Sequence, residues 1–257
     1  MEPKVVVVTG ASSGIGAELS RKLGSEGHSV VLAARHHERL KAVALHSGKD
    51  AHVVIADVTK RDDMEKIKEE ALRRFGKIDV WVNNAGRGIG RAFMDLTEQD
   101  LDDMISVNVK SVFFGSQIAA HYFKAEGKGH IINVSSFLGR VPFANFRSAY
   151  SASKAMVNSL TANLRMDLRR THPDIKVSLV MPGVVQTDFA KNALHGTPPP
   201  PPGAPPMNGQ TPQEVAAIIY DLILHPIAEV YTNPSSAETA KAYYTDVSSF
   251  EDNMFKR

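Results

Sequence analysis

Tyr150 is followed four residues later by Lys154 and preceded fourteen residues earlier by Ser136. Those three side-chain types suit redox chemistry on a carbonyl or an alcohol. A tyrosine is a neutral proton donor with a reference pKa near ~10, and bringing it to neutral pH takes roughly 4 kcal/mol at about 1.4 per unit. One lysine ammonium about 4 Å away, at an effective dielectric of ~20, supplies roughly that amount. On a helix the Tyr-x-x-x-Lys spacing puts both groups on one face, one turn apart.

The elements that must carry these residues are legible as short β-branched runs alternating with helical stretches. The runs are Val5 to Val8, Val30 to Ala33, Val53 to Ile55, Ile78 to Val82, Ile131 to Val134, Val177 to Val180 and Glu229 to Tyr231. Between them lie charged, periodic segments such as Asp63 to Phe75, where Met64, Ile67, Ala71, Leu72 and Phe75 fall on one helical stripe. Buried strand alternating with amphipathic helix implies a parallel sheet covered on both faces. The expected fold is therefore α/β, a single Rossmann-like domain over residues 1–257 with a doubly wound, seven-stranded parallel sheet.

A nucleotide end is written into the first three strands. Thr9-Gly10-Ala11-Ser12-Ser13-Gly14-Ile15-Gly16 follows the first strand and opens a helix, where glycines let the backbone approach a pyrophosphate and amides meet its charge. Ser12 and Ser13 can add hydroxyl donors or cap that helix. The second strand ends in Ala33-Ala34-Arg35-His36-His37, without the carboxylate that would bind the ribose 2′-hydroxyl of NAD. Arg35 offers a planar cation suited to a 2′-phosphate, so NADP(H) is the expected cofactor. Asp57 and Val58, after the third strand, fall where an adenine would lie, with a helix cap as the other role for Asp57. The fourth strand ends in Asn83-Asn84-Ala85-Gly86, whose asparagines either brace the backbone or touch the cofactor.

With the glycine motif, Asn-Asn-Ala-Gly and Tyr-x-x-x-Lys in this order, the chain resembles the short-chain dehydrogenase/reductase family from about Val5 to Thr187. The resemblance implies that Thr9, Gly10, Gly14 and Gly16 hold the family's TGxxxGxG positions at the pyrophosphate, and that Asn84, Ala85 and Gly86 line the cofactor. It matches the family's helical asparagine to Asn108. Of the adjacent Ser135 and Ser136, the family's habit of placing the catalytic serine three residues before a glycine, here Gly139, selects Ser136. Met181-Pro182-Gly183-Val184-Val185-Gln186-Thr187 is similar to the family's PGxxxT segment, so Pro182, Gly183, Val185 and Thr187 are expected at the nicotinamide. The tail departs from the Val-Asp-Gly-Gly ending of many members, which distances it from fatty-acid-type ketoacyl reductases and leaves homodimer and homotetramer both open.

The mechanism this implies is hydride exchange between NADP(H) and a ketone or secondary alcohol. Ser136 would hydrogen-bond the substrate oxygen and Tyr150 would give or take its proton. Lys154 would lower the tyrosine pKa and hold the nicotinamide ribose, and Asn108 would orient a water linking Lys154 to solvent. Leu138, Phe146 and Phe189, with Phe137, Val141, Phe143 and Val184 nearby in sequence, suggest a roomy apolar pocket for a lipophilic substrate. The rival reading is an NADP(H)-binding sensor or regulator with little turnover.

Two segments break the alternating rhythm. Thr197 to Gly209 reads TPPPPPGAPPMNG, with seven prolines, an extended loop. Within a substrate-side segment at about 189–210 it fits a lid, a solvated insertion or a ligand for a polyproline-binding partner. The tail at about 233–257, rich in Ser, Thr and Ala, reads as partly flexible or as docking on another subunit.

Charge and composition exclude other classes. Lys plus Arg is 30 against 28 for Asp plus Glu, a net charge of +2, which gives no reason to expect nucleic acid or an anionic membrane as partner. Cysteine is absent, so there is no disulfide or thiolate chemistry. The run Val5 to Val8 is too short for a signal-peptide core and no apolar stretch reaches about 18 residues, so membrane insertion is not expected and a cytoplasmic location is. Adjacent His36 and His37 are not spaced for one helical face, and no metal site is expected.

Overall fold

All seven apolar runs form strands of one parallel sheet in the order β3-β2-β1-β4-β5-β6-β7. They are β1 (Val5–Thr9), β2 (Ser29–Ala34), β3 (Ala51–Ile55), β4 (Val80–Asn83), β5 (Gly129–Val134), β6 (Ile175–Met181) and β7 (Glu229–Tyr231). The computed structural model describes residues 2–196 and 209–255. Because side chains alternate along a strand, each run feeds two cores. Val6, Val8, Val30, Leu32, Val80 and Val82 face one layer, with Leu19 and Leu23 of α1 (Gly14–Ser25) and Val215 and Ile219 of α7 (Pro212–Leu224). Val7, Val31, Trp81, Ile131 and Val177 face the other, with Met64 and Ile67 of α3 (Arg61–Phe75), Phe123 of α5 (Ser111–Glu126) and Leu168 of α6 (Ser148–Thr171). This two-sided burial is why the strands read as continuous apolar runs. Leu19 is fully buried, and truncating such a side chain to alanine costs about 2–5 kcal/mol.

Strand order reverses between the parallel neighbours β1 and β4, so a crevice opens outside their carboxyl ends. Helix α2 (His37–Ala44) follows β2, and α4 (Glu98–Met104) leads through a π-helical turn, Ile105–Lys110, into α5. Buried Asp100 closes the capping box of α4 with Thr97 and also binds Arg91 Nη1 and His195 Nε2, each at 2.7 Å. That knot ties the segment after β6 to the segment after β4.

The tail, read from sequence as partly flexible or as docking on another subunit, forms helices α8 (Ser236–Thr245) and α9 (Val247–Phe255). Ala240, Tyr243 and Phe250 pack on Phe137 and Val141, and Tyr244 Oη donates to Arg140 O at 2.8 Å. The burial is local and aromatic, so no long apolar stripe announces it. Residues 197–208 of the proline-rich loop lie outside the described residues. No helix among the described residues is long and apolar enough to cross a membrane.

Candidate functional site

The crevice at the sheet's carboxyl edge has a volume of about 610 Å³ and runs from Arg35 and Asp57 at one end to Tyr150 and Phe189 at the other. Gly10, Ser12, Ser13, Gly14 and Ile15 line its floor with Val58, Asn84, Ala85 and Gly86. Ser13 heads α1 without a side-chain cap, so the helix's first amides are left for an anion. A Cβ on Gly16 would lie 2.5 Å from Gly10 O and 2.5 Å from Asn84 Nδ2, so only glycine lets the helix seat against the turn.

Two residues expected at the cofactor do not line the crevice. Thr9 is buried, and its Oγ1 donates to Val82 O and accepts from the amides of Asn84 and Ala85 at 3.0 and 3.1 Å. It stitches β1 to β4 at the switch point, and Gly16 likewise contributes shape. Asn84 braces the turn through Nδ2 to Thr9 O at 2.9 Å. Its neighbour Asn83 is fully committed in the core, to Trp81, Ser116 and Asn133. Asp57 is not a helix cap, since Lys60 precedes α3. Its Oδ1 accepts from Thr59 N and Thr59 Oγ1 in a local turn.

At the far end, β5 delivers the two serines in opposite directions. Ser135 Oγ donates to Lys154 O at 3.1 Å and Asn158 Oδ1 at 2.6 Å, a packing role. Ser136 Oγ accepts from Leu138 N at 3.2 Å and faces the Tyr150 hydroxyl. A Cβ on Gly139 would lie 2.7 Å from the backbone of Lys154, so the serine loop lies against α6 only because that position is glycine. Tyr150 and Lys154 occupy one face of α6, both buried.

The electrostatics differ from the expectation that Lys154 lowers the tyrosine pKa. Lys154 Nζ donates to Val134 O at 3.0 Å and sits 5.8 Å from the centre of the Tyr150 ring. Burial pushes the Tyr150 pKa up, and the Ser136 hydroxyl and the Arg147 guanidinium draw it partly back. Burial also pushes Lys154 down to about 8. Burial thus moves the two groups apart in acidity, making the phenol the weaker acid and the ammonium the stronger.

Asn108, in the π-helical turn, donates through Nδ2 to Arg87 O at 2.9 Å and Ser153 Oγ at 3.0 Å, and its Oδ1 accepts from Arg87 N at 2.8 Å. A Cβ on Gly86 would lie 3.2 Å from Asn108 Oδ1 and 3.4 Å from Lys154 Nζ. Asparagine, lysine and glycine therefore converge. Pro182, Gly183, Val185 and Thr187 line the crevice after β6, and Thr187 Cγ2 would be 3.3 Å from a Cβ on Gly14. Leu138, Phe146 and Phe189 line the substrate end, the Phe189 ring 5.6 Å from that of Tyr150.

Sequence reasoning missed three arginines that line the same crevice: Arg39, Arg87 and Arg147. Arg39 lies one turn beyond Arg35, and Arg147 one turn before Tyr150. That spacing was the available signal.

The family model described as short chain dehydrogenase matches residues 4–197. An uncharacterized oxidoreductase of Staphylococcus epidermidis is 36% identical over 196 residues, 76% of this chain and 84% of its own. A solved short chain dehydrogenase/reductase of Burkholderia phymatum, in complex with NAD, superposes with a TM-score of 0.85 at 27% identity, over 96% of this chain and 95% of its own. An alcohol dehydrogenase of the archaeon Thermococcus sibiricus, complexed with 5-hydroxy-NADP, gives 0.77 at 28% identity, over 90% and 96%.

Proposed function

The chain belongs to the short chain dehydrogenase family, and from that premise we propose that it is an NADP(H)-dependent oxidoreductase acting on a ketone or secondary alcohol, with Tyr150 as general acid/base. The observation that carries this reading is the meeting of Ser136, Tyr150 and Lys154 at one end of a crevice whose other end is built for a dinucleotide. The residues present fit that cofactor: uncapped amides of α1 face the floor, and Arg35 and Arg39, both exposed, stand where β2 ends. A guanidinium pair at this place suits a 2′-phosphate. When bound, the nicotinamide supplies or accepts the hydride.

The chain's own residues do the rest. Ser136 Oγ donates a hydrogen bond to the substrate oxygen, where negative charge develops during reduction. Tyr150 Oη passes its proton to that oxygen, and takes it back in oxidation. Lys154 Nζ, one turn along α6, holds the nicotinamide ribose hydroxyls and resupplies the proton. Asn108 Oδ1, carrying one bond from Arg87 N, keeps a second lone pair to hold a water between Lys154 and solvent. Ala85, Gly86, Val185 and Thr187 position the nicotinamide end.

Assembly as a homodimer or homotetramer belongs to the same proposal. Phe113 on α5 and Met156, Leu160 and Met166 on α6 are exposed apolar side chains on helices that cover one sheet face, a surface suited to a second copy. The test of function is NADPH oxidation over a panel of carbonyl classes with NADH run beside it. The proposal expects turnover with a strong NADPH preference. Tight NADPH binding without turnover would favour a sensor, and equal rates with NADH would overturn the role of Arg35.

A further inference from the structure

Tyr150 lies between two cations: Lys154 four residues after it on α6 and Arg147 three residues before it at the N-cap of that helix. The proposed mechanism uses Lys154 and leaves Arg147 without a task. Yet the fold fixes Arg147 firmly at the substrate end. Its backbone forms a parallel bridge with Arg91, Arg147 N donates to Ala144 O at 2.8 Å, and Arg91 N donates to Phe146 O at 2.8 Å.

Its guanidinium is brought in close to the reacting phenol. A Cβ on Gly88 would lie 2.8 Å from Arg147 Nη1 and 2.8 Å from Phe189 Cε1, so the absent side chain makes room for the cation and the ring together. The Phe189 ring packs edge-on to Tyr150. Burial works against the charge of Arg147, and the tyrosine oxygen supports it. Arg87 adds a second guanidinium to this wall, with Nε on Asn192 O at 3.2 Å. Asp188, the carboxylate at this end of the crevice among the described residues, is bridged to Lys191 at 3.0 Å. The substrate end is therefore positive, with apolar walls from Leu138, Phe143 and Phe189.

We propose that Arg147 recognises a carboxylate on the substrate, making this an oxidoreductase of oxo and hydroxy acids with an apolar body. A guanidinium fork matches a carboxylate in two parallel hydrogen bonds, and the half-buried setting strengthens them. In reduction, hydride adds to the carbonyl carbon, the carbonyl π bond breaks onto oxygen, and that oxygen takes the Tyr150 proton. NADPH is oxidised to NADP⁺, and the carboxylate passes through unchanged on Arg147. The lipophilic substrate expected from the aromatic residues thus gains an anionic end.

This rests on the proposed function, and the test separates the two. Turnover of 4-phenyl-2-oxobutanoate is compared with that of its ethyl ester, in wild type, Arg147→Met and Arg147→Lys. The expected kcat/KM ratio of acid to ester is about tenfold or more in wild type, near unity in Arg147→Met and partly restored in Arg147→Lys. A wild-type ratio near one, with both reduced, overturns the inference and leaves the proposed function standing. Binding is read independently of turnover by titrating 3-phenylpropionate and 3-phenylpropionamide onto wild type and Arg147→Met with NADP⁺ present. Tighter binding of the acid, lost in Arg147→Met, supports the inference even if neither oxo compound is reduced. Equal affinities for acid and amide overturn it.

Discussion

Replacing Lys154 by methionine is expected to abolish turnover and at the same time to stabilise the protein near neutral pH. Lys154 is 3% exposed, and burial holds its pKa at about 8 against the ordinary lysine value of 10.5. At about 1.4 kcal/mol per unit this depression corresponds to about 3 kcal/mol of stability forgone while the lysine is charged. The full cost is present below pH about 8, where folded and unfolded chains are both protonated. Between about 8 and 10.5 the folded protein sheds the proton first, so stability rises with pH, and above 10.5 the cost is gone. Methionine matches the length of the stem but leaves Val134 O, now bonded to Nζ at 3.0 Å, without that donor, a loss of about 1 kcal/mol. The net gain at pH 7 is then about 2 kcal/mol, or about 4–8 °C in Tm for a chain of this size. The assay is thermal and urea unfolding of both proteins at pH 7 and pH 10, where titrations common to both cancel in the difference. A variant less stable than wild type at pH 7, or a difference that is the same at both pH values, would refute the reasoning.

Three other perturbations probe different parts of the site. Arg35→Ala should weaken NADPH binding by about 10- to 100-fold and leave NADH affinity unmoved, as loss of a charge-assisted phosphate contact implies; fluorescence titration reads both. Gly16→Ala places a methyl 2.5 Å from Gly10 O, so the turn must open, costing about 1–3 kcal/mol in urea unfolding and weakening dinucleotide binding. Asp100 is held well below the usual carboxylate range, first by the Thr97 amide and then by His195. Its contribution is present above the ordinary carboxylate pKa and lost as pH falls below it, so Asp100→Asn should lose less stability than wild type on acidification, while Asp100→Ala costs about 2–4 kcal/mol at pH 7.

The sheet was legible in the sequence because its inner strands are buried on both faces, so Val5 to Val8 or Val177 to Val180 shows apolar residues at both parities. The tail was not, because Tyr243 and Phe250 reach their partners Phe137 and Val141 through tertiary contact rather than through a periodic stripe. Motif residues were placed at the right end of the sheet, but motif position does not say what a side chain does. Thr9 faces into the β1–β4 seam, Gly16 supplies only closeness, and Ser135 turns to α6 while Ser136 turns to Tyr150. The expectation that Lys154 tunes Tyr150 took an ammonium about 4 Å away from the helix spacing, whereas Nζ sits 5.8 Å from the ring centre and is bonded to Val134 O. Spacing fixes which face a group shares, and burial then decides its charge. Arg147 sits at the N-cap on the other side of Tyr150, and a lone arginine ahead of a helix carries no motif.

Tyr150 as the proton carrier is tested most directly by Tyr150→Phe, assayed by stopped-flow NADPH oxidation with a substrate that wild type reduces, together with NADPH titration. Loss of the phenolic proton should lower the reduction rate by roughly 10²–10⁴-fold with NADPH affinity unchanged. Reduction at the wild-type rate by a variant that still binds NADPH would contradict the assignment.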